Sequence, residues 1–133
     1  MSRHLGEWTF AVYDDPSVRD QVTLEILERL KDVDEVAVCP YQWTAELDDR
    51  PAAHRLSRFV KERPDVTGII LTDFDAACAR IPGLIGNIKM SRERIRDLGL
   101  NILFWVSPET MKRFASGEGI DFYNCRALSN SYF

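Results

Sequence analysis

Six consecutive residues in the middle of the chain, Thr67–Thr72 (TGIILT), form a nearly continuous apolar run. A run of this kind predicts a central strand that is buried on both faces of a parallel sheet. Neighbouring parallel strands must be joined by crossover connections, which usually contain a helix. The run therefore predicts that the rest of the chain alternates between strands and helices.

The remaining sequence shows this alternation. Further strands are predicted at Trp8–Tyr13, at Glu35–Cys39 with Pro40 closing it, at Asn101–Val106, and at about Asp121–Ala127, which residues 131–133 would extend. Apolar residues at helical spacing run from Val18 to Leu30, from Ala52 to Val60, and from Ile81 to Leu98 with breaks near Pro82 and Met90. After the fourth strand, Ser107 can cap a further helix that runs through Phe114. Because right-handed crossovers return each helix to the sheet, we predict a three-layer α/β sandwich with a mostly parallel sheet of about five strands.

Length and charge limit the number of domains and the class of partner. A chain of 133 residues with 45% hydrophobic content is sufficient for one complete core, so residues 1–133 are expected to form a single domain. The formal net charge is −4, and acidic and basic residues are mixed along the chain. This balance argues against a nucleic-acid or anionic membrane surface and favours a protein partner, a second copy of the chain or a small ligand.

The cysteines and the amino-terminal sequence predict a cytoplasmic protein. Cys39, Cys78 and Cys125 are odd in number and lie in or beside apolar segments, as expected for reduced thiols. Residues 1–7 lack the apolar run of a signal peptide, and no later stretch is apolar enough to span a bilayer. We therefore expect neither export nor membrane attachment.

The turn after the first predicted strand, Tyr13–Ser17 (YDDPS), contains no glycine and no lysine. A phosphate-binding loop needs glycines there, because the backbone N–H groups must approach the phosphate closely. The glycine pairs Gly83/Gly86 and Gly117/Gly119 complete neither of the usual loop motifs. The sequence thus predicts no nucleotide hydrolase, no complete catalytic motif and no required cofactor.

Acidic residues after two predicted strands leave a phosphoswitch open as an alternative. Asp14 and Asp15 follow the first strand, Asp73 follows the central strand and Ser107 follows the fourth. This pattern resembles phosphoacceptor receiver domains, which have a flavodoxin-like fold. The resemblance implies that Asp14 and Asp15 hold Mg²⁺ and that Asp73 is phosphorylated. Receivers place a lysine after the last strand, where this chain has Arg126, and the two side chains are not interchangeable.

Two other interpretations of the same carboxylates remain. Asp14, Asp73 and Asp75 could hold a metal ion or act as general acid and base in a small enzyme. The simpler interpretation, which we favour for Asp73, is that an aspartate after a buried strand caps the next helix or faces water.

The second half of the chain resembles a known family in four segments. They are Gly68–Thr72, Leu84–Asn87 together with Arg92–Arg94, Leu100–Glu109 and Ile120–Arg126. These segments are similar to degenerate, inactive domains of the STAND (signal-transduction ATPase) type in bacterial signalling and conflict proteins. The resemblance implies a P-loop-NTPase-like fold in which Asp14–Ser17 occupies the place of the lost phosphate loop.

The resemblance also implies a function without catalysis. Such domains recruit and regulate other proteins, so we expect an adaptor or regulatory domain that binds a partner protein or its own copy in a bacterial signalling or defence system. The residues expected at the partner surface are Asn87, Arg92, Trp105 and Arg126.

Overall fold

The computed structural model describes residues 5–45 and 51–115, and the backbone alone of residues 125–132. Strands and helices alternate along these residues, with one short 3₁₀ turn after the second strand. The elements are β1 (Trp8–Val12), α1 (Pro16–Leu30), β2 (Val38–Tyr41), the 3₁₀ turn (Trp43–Ala45), α2 (Ala52–Glu62), β3 (Gly68–Leu71), α3 (Phe74–Arg80), α4 (Leu84–Met90), α5 (Arg92–Asp97), β4 (Asn101–Val106), α6 (Pro108–Ala115) and β5 (Cys125–Tyr132).

The strands form one parallel sheet in the order β2-β3-β4-β1-β5. The predicted α/β class, the parallel sheet and the number of strands are confirmed. The order itself differs from the 2-1-3-4-5 order of flavodoxin-like sheets. The difference matters for the site, because β4 lies between β1 and β3 and separates the residues that follow these two strands.

Helices cover both faces of the sheet, which confirms the three layers. Face A carries Phe10, Leu71 and Phe104 and packs against α2 to α6 in the larger core. Face B carries Ile70 and Trp105 and packs against α1 in a smaller core. The connection from β1 to β2 runs across the sheet in the opposite direction to the connections that follow it. Because all crossovers have the same hand, the helix of this connection, α1, must lie on the opposite face from the other described helices.

The edge strand β2 lies further along the chain than the sequence predicted. It spans Val38–Tyr41 and contains Pro40, which was expected to close it. Among the described strands β2 pairs only with β3, so one side of its backbone forms no ladder hydrogen bonds with them. A proline lacks the N–H and is tolerated in an edge strand of this kind, and it protects the edge from pairing with another chain.

Several predicted helix boundaries are confirmed, but α3 (Phe74–Arg80) was not predicted, because helical residues were expected to begin at Ile81, which follows α3. The breaks near Pro82 and Met90 lie between α3 and α4 and between α4 and α5, and Gly99 follows α5 with a φ of 73°. That left-handed conformation favours glycine and ends the helix. Across the residues that are described, no helix is long and apolar enough to cross a membrane.

Candidate functional site

The candidate site lies at the carboxyl ends of β1 and β4. These neighbouring strands continue into helices on opposite faces of the sheet, α1 on face B and α6 on face A. Such a switch of direction opens a crevice at the end of the sheet, where α/β proteins usually bind their ligands. The backbone N–H of Tyr13 donates to the carbonyl of Val106 at 3.0 Å, so the two chains stay paired up to the edge of the crevice.

The Asp75 carboxylate from the first turn of α3 closes this crevice. It accepts hydrogen bonds from the Tyr13 hydroxyl at 2.6 Å and from the backbone N–H of Ser107 at 3.0 Å, and a longer one from the Ser107 hydroxyl at 3.3 Å. Ser107 in turn caps α6, since its Oγ accepts from the Thr110 N–H at 3.2 Å. An anion beside a helix amino terminus is stabilised by the unpaired N–H groups and the helix dipole. In this protein the anion is the chain's own carboxylate.

Tyr13 connects this network to α1. Arg19 donates from Nη1 to the Tyr13 hydroxyl at 3.2 Å and lies 4.9 Å from the centre of its ring. Burial raises the pKa of Tyr13, and the hydrogen bond to the negatively charged Asp75 raises it further, while Arg19 partly opposes both effects. The phenol is therefore neutral and serves as a hydrogen-bond donor to Asp75.

Asp73 has a structural role in the described residues. Its Oδ1 accepts from the Trp43 N–H at 2.8 Å, and its Oδ2 accepts from the Thr44 N–H at 2.8 Å and from the Thr44 hydroxyl at 2.6 Å. These bonds cap the 3₁₀ turn that follows β2, whereas the Asp73 side chain makes no cap bond to α3. Asp73 therefore acts as a capping residue, as expected, but it does not cap the next helix. The turn that it caps lies about 30 residues earlier in the chain.

The carboxylates after β1 stay apart from Asp73. Asp15 caps α1 by accepting from the Ser17 N–H and hydroxyl, and these bonds lower its pKa. Asp14 is exposed. Since β4 separates β1 from β3, residues after these strands are two strand spacings apart, roughly 10 Å.

Both alternative interpretations of these carboxylates need the side chains close together in one site, and this separation prevents it. Among the residues that can be described, no three His, Cys, Asp or Glu side chains lie close enough to hold a metal ion. The expected metal sets Asp14/Asp15/Asp73 and Asp14/Asp73/Asp75 are therefore not assembled. Of the residues predicted from the strand ends, Ser107 and Asp75 are in contact. They meet through hydrogen bonds from Ser107 to the Asp75 carboxylate and not as metal ligands.

The four residues predicted for a partner surface do not share one surface. The Asn87 side chain accepts from the Ala52 N–H at 2.8 Å and so caps α2 on face A. Arg92 is half-buried at the start of α5, also among the face A helices. Trp105 is 0% exposed in the core of face B, so its side chain cannot contact a partner. The side chain of Arg126 lies outside the described residues.

A groove that the sequence did not predict runs along face B beside α1. It has two adjoining parts of about 320 and 430 Å³ that share Leu30 and Val38. Its apolar lining comes from α1, the loop between α1 and β2, β2, β3 and β4, namely Ile26, Leu27, Leu30, Val36, Val38, Ile70 and Leu103. Amphipathic spacing in α1 shows which side chains face the sheet, but only the strand order shows that one helix is too narrow to cover β2 to β4.

Sequence inspection also missed Arg55, a buried cation in α2. Its side chain stacks on Trp43 near the carboxyl ends of β2 and β3, and the residue is 2% exposed. A signal for this burial exists in the sequence, because Arg55 lies at the apolar spacing of its helix, between Ala52 and Phe59. Charged residues at such positions are almost never fully buried unless they are paired.

The geometry of the site stands without support from relatives. No protein-family model, no curated protein and no solved structure matches the chain. The resemblance in the second half of the sequence therefore remains an expectation.

Proposed function

We propose that this protein is a non-catalytic regulatory or adaptor domain that binds a partner protein through the groove on face B. The observation that carries the proposal is the apolar lining of that groove, which lies open between α1 and the sheet. Leu30 and Leu103 are only partly buried there. A contiguous apolar surface that the described residues leave uncovered is typical of a protein interaction site.

The charges around the groove favour a basic partner. Five acidic residues lie in its wall or in the loop between α1 and β2, namely Glu7, Asp32, Asp34, Glu35 and Asp65. The wall also contains two basic residues, and each already contacts an acid: Lys31 contacts Glu28 at 2.6 Å and Arg63 contacts Asp65 at 3.5 Å. The expected partner segment is thus an amphipathic helix with apolar residues on one side and lysines or arginines on the other.

The closed crevice supports the absence of catalysis in this proposal. A ligand that entered between β1 and β4 would have to displace the Asp75 carboxylate from the Ser107 amide and from the Tyr13 hydroxyl. Within the described residues neither Tyr13 nor Ser107 has a free base beside it, since the Asp75 carboxylate already accepts from both. The link to bacterial signalling or defence depends on the sequence resemblance alone.

Peptide binding tests the groove. The probes are two labelled 18-residue helical peptides with the same leucine positions, one with lysines and one with glutamates on the polar side. We expect fluorescence anisotropy to show saturable binding of the lysine peptide that weakens as salt is added, and much weaker binding of the glutamate peptide. Leu30→Glu should weaken the lysine peptide at least about tenfold, because it places a charge in the groove.

The matched control is Leu24→Glu in the same helix. Leu24 is 67% exposed and lies outside the groove, so this variant adds the same charge without touching the lining. Equal affinity of wild type and Leu30→Glu, or an equal loss in Leu24→Glu, would remove the groove from the proposal. Equilibrium dialysis with ATP or GTP and Mg²⁺ tests the other half, and micromolar nucleotide affinity would contradict a non-catalytic domain.

A further inference from the structure

Arg55 is a buried cation that the proposed groove does not use. It lies on α2, on face A, and its residue exposure of 2% is that of a core side chain. Arginine keeps its charge in any protein environment. A buried charge is costly unless it is paired, so the surroundings of the guanidinium indicate what it binds.

The described residues satisfy only one of the three guanidinium nitrogens. Nη2 donates to the carbonyl of Trp43 at 2.8 Å and to the Tyr41 hydroxyl at 3.3 Å. Nε and Nη1 are buried and have no hydrogen-bond acceptor in the part of the chain that is described. An arginine has five N–H donors, and three of them belong to these two nitrogens.

Aromatic rings hold the guanidinium in place. Its central carbon lies 4.3 Å from the ring centre of Trp43 and 5.9 Å from that of Tyr41. Contact with an aromatic face stabilises the cation but accepts none of its N–H groups. The stacking thus orients Arg55 and leaves its hydrogen-bonding capacity on Nε and Nη1 available.

Asp73 supports this arrangement through the 3₁₀ turn that carries Trp43. Its two carboxylate oxygens are occupied by the Trp43 and Thr44 amides and the Thr44 hydroxyl. These bonds fix the 3₁₀ turn that supplies the Trp43 ring and carbonyl to Arg55. Asp73 is therefore a positioning residue for the cation.

We propose that Arg55 binds a carboxylate group at the end of β2 and β3. Ligands of open α/β sheets bind at the carboxyl ends of the strands, where Tyr41 and the 3₁₀ turn lie. A carboxylate accepts charge-assisted N–H bonds in the plane of a guanidinium. It also carries one charge, so it is less costly to remove from water into these aromatic surroundings than a doubly charged phosphate. The carboxylate belongs either to a small organic acid or to the end of a peptide.

The test follows the arginine Nε–H signals of ¹⁵N-labelled protein by NMR. Sodium acetate, sodium benzoate, a short peptide with a free carboxyl terminus and the same peptide with an amidated terminus are titrated at constant ionic strength, with chloride and phosphate as reference anions. We expect one Nε–H signal to shift saturably with at least one of the carboxylates and with neither reference anion. Acetate or benzoate binding alone indicates a small acid, and peptide binding that amidation abolishes indicates a chain terminus.

Arg55→Lys identifies the signal and the site. The variant lacks Nε, so it should lose that one signal and bind the carboxylate about tenfold or more weakly. The matched control is Arg58→Lys, three residues further along α2, whose side chain is 38% exposed and contacts Glu62. The backbone amide spectrum of each variant shows whether it is folded, and the wild-type titration needs no variant.

Three results would overturn the inference. The first is a wild-type protein in which no arginine Nε–H signal shifts saturably with any carboxylate, which means that the chain itself satisfies Arg55. The second is binding of phosphate with equal or greater affinity. The third is an Arg55→Lys variant that is folded and binds the carboxylate as tightly as Arg58→Lys does.

Discussion

The Tyr13 hydroxyl donates a 2.6 Å hydrogen bond to the carboxylate of Asp75, which lies 62 residues further along the chain. This bond joins the end of β1 to the first turn of α3. The same carboxylate accepts from the amide of Ser107 after β4. One side chain thus ties together three strand-to-helix connections at the point where an α/β sheet would normally bind a ligand.

Replacing Asp75 by asparagine is expected to lower the free energy of unfolding by about 2 kcal/mol, because an amide N–H₂ group would face donors from Tyr13 and Ser107. Urea unfolding monitored by tryptophan fluorescence measures this loss. The exposed Asp14→Asn is the control and should change stability by no more than about 0.5 kcal/mol. Combining Asp75→Asn with Tyr13→Phe should cost less than the sum of the single losses, and strict additivity would mean that the two side chains do not interact.

Stability at high pH should report the raised pKa of Tyr13. The folded state holds the phenol proton more tightly than the unfolded state does, because burial and the hydrogen bond to Asp75 disfavour the phenolate. The contribution of the protonated Tyr13 phenol to the free energy of unfolding is therefore complete below pH of about 10, the ordinary tyrosine pKa. It is lost as pH rises through the pKa of Tyr13 in the folded state.

The measurement is the difference in unfolding free energy between wild type and Tyr13→Phe as pH increases. The other tyrosines and the lysines titrate in both proteins and cancel in this difference. We expect the difference to be constant at neutral pH and to shift against the wild type above pH of about 10. A difference that stays constant through the alkaline range would show that the Tyr13 pKa is the same in both states.

The sequence predicted the layers of this fold but not the order of its strands. The run Thr67–Thr72 and the fully buried strand β3 within it agree, because burial on both faces leaves a continuous apolar pattern. Strand order has no such local pattern, since it depends on which apolar faces pack against each other across the whole chain. The insertion of β4 between β1 and β3 therefore could not be predicted, and it is what separates Asp14 and Asp15 from Asp73.

Asp73 is expected to remain unmodified by a phosphoryl donor. Both of its oxygens accept hydrogen bonds from the 3₁₀ turn, and no described carboxylate cluster could hold Mg²⁺ beside it. Incubation with acetyl phosphate and Mg²⁺ should therefore add no phosphoryl mass to the intact protein. A gain in mass in wild type that is absent from Asp73→Asn would restore the receiver-like interpretation.

Cys78 should react slowly in the folded protein. Burial raises the pKa of its thiol to about 12, and the nearby charge of Asp75 acts in the same direction while Arg113 opposes it. Alkylation needs the thiolate, so at pH of about 8 the native thiol is protected by both its pKa and its burial. The measurement uses a variant in which Cys39 and Cys125 are replaced by serine, so that Cys78 is the thiol that reacts. The rate at which iodoacetamide labels this variant should rise steeply in urea. Equal rates in buffer and in urea would contradict a buried thiol.

The candidate site shows the same division between local and long-range information. The caps by Asp15 and Ser107 were predictable, because each residue lies next in sequence to the helix that it caps. The partners of Asp73 and Asp75 come from segments about 30 to 60 residues away, which no sequence spacing reveals. Trp105 illustrates the limit for surfaces, since its strand was predicted correctly and its burial under α1 depends on the packing of face B.

Two glycines provide a final test of how β1 and β4 approach each other. The N–H of Gly6 donates to the carbonyl of Arg96 at 2.9 Å, and a Cβ on Gly6 would lie 2.1 Å from the carbonyl oxygen of Leu100. That oxygen belongs to the backbone and cannot rotate away, so Gly6→Ala should force the segments apart and cost about 3 kcal/mol or more of unfolding free energy.

Gly86 is the matched control, because the same methyl group would meet nothing within 4 Å there. It lies inside α4, where alanine is favoured over glycine by about 0.5–1 kcal/mol, so Gly86→Ala should be neutral or stabilising. Urea unfolding of both variants separates the contact from the general effect of adding a methyl group. If Gly6→Ala unfolds at the wild-type urea concentration, the residues before β1 and β4 are not in contact. The end of the sheet opposite the closed crevice would then be less tightly packed than the 2.1 Å distance requires.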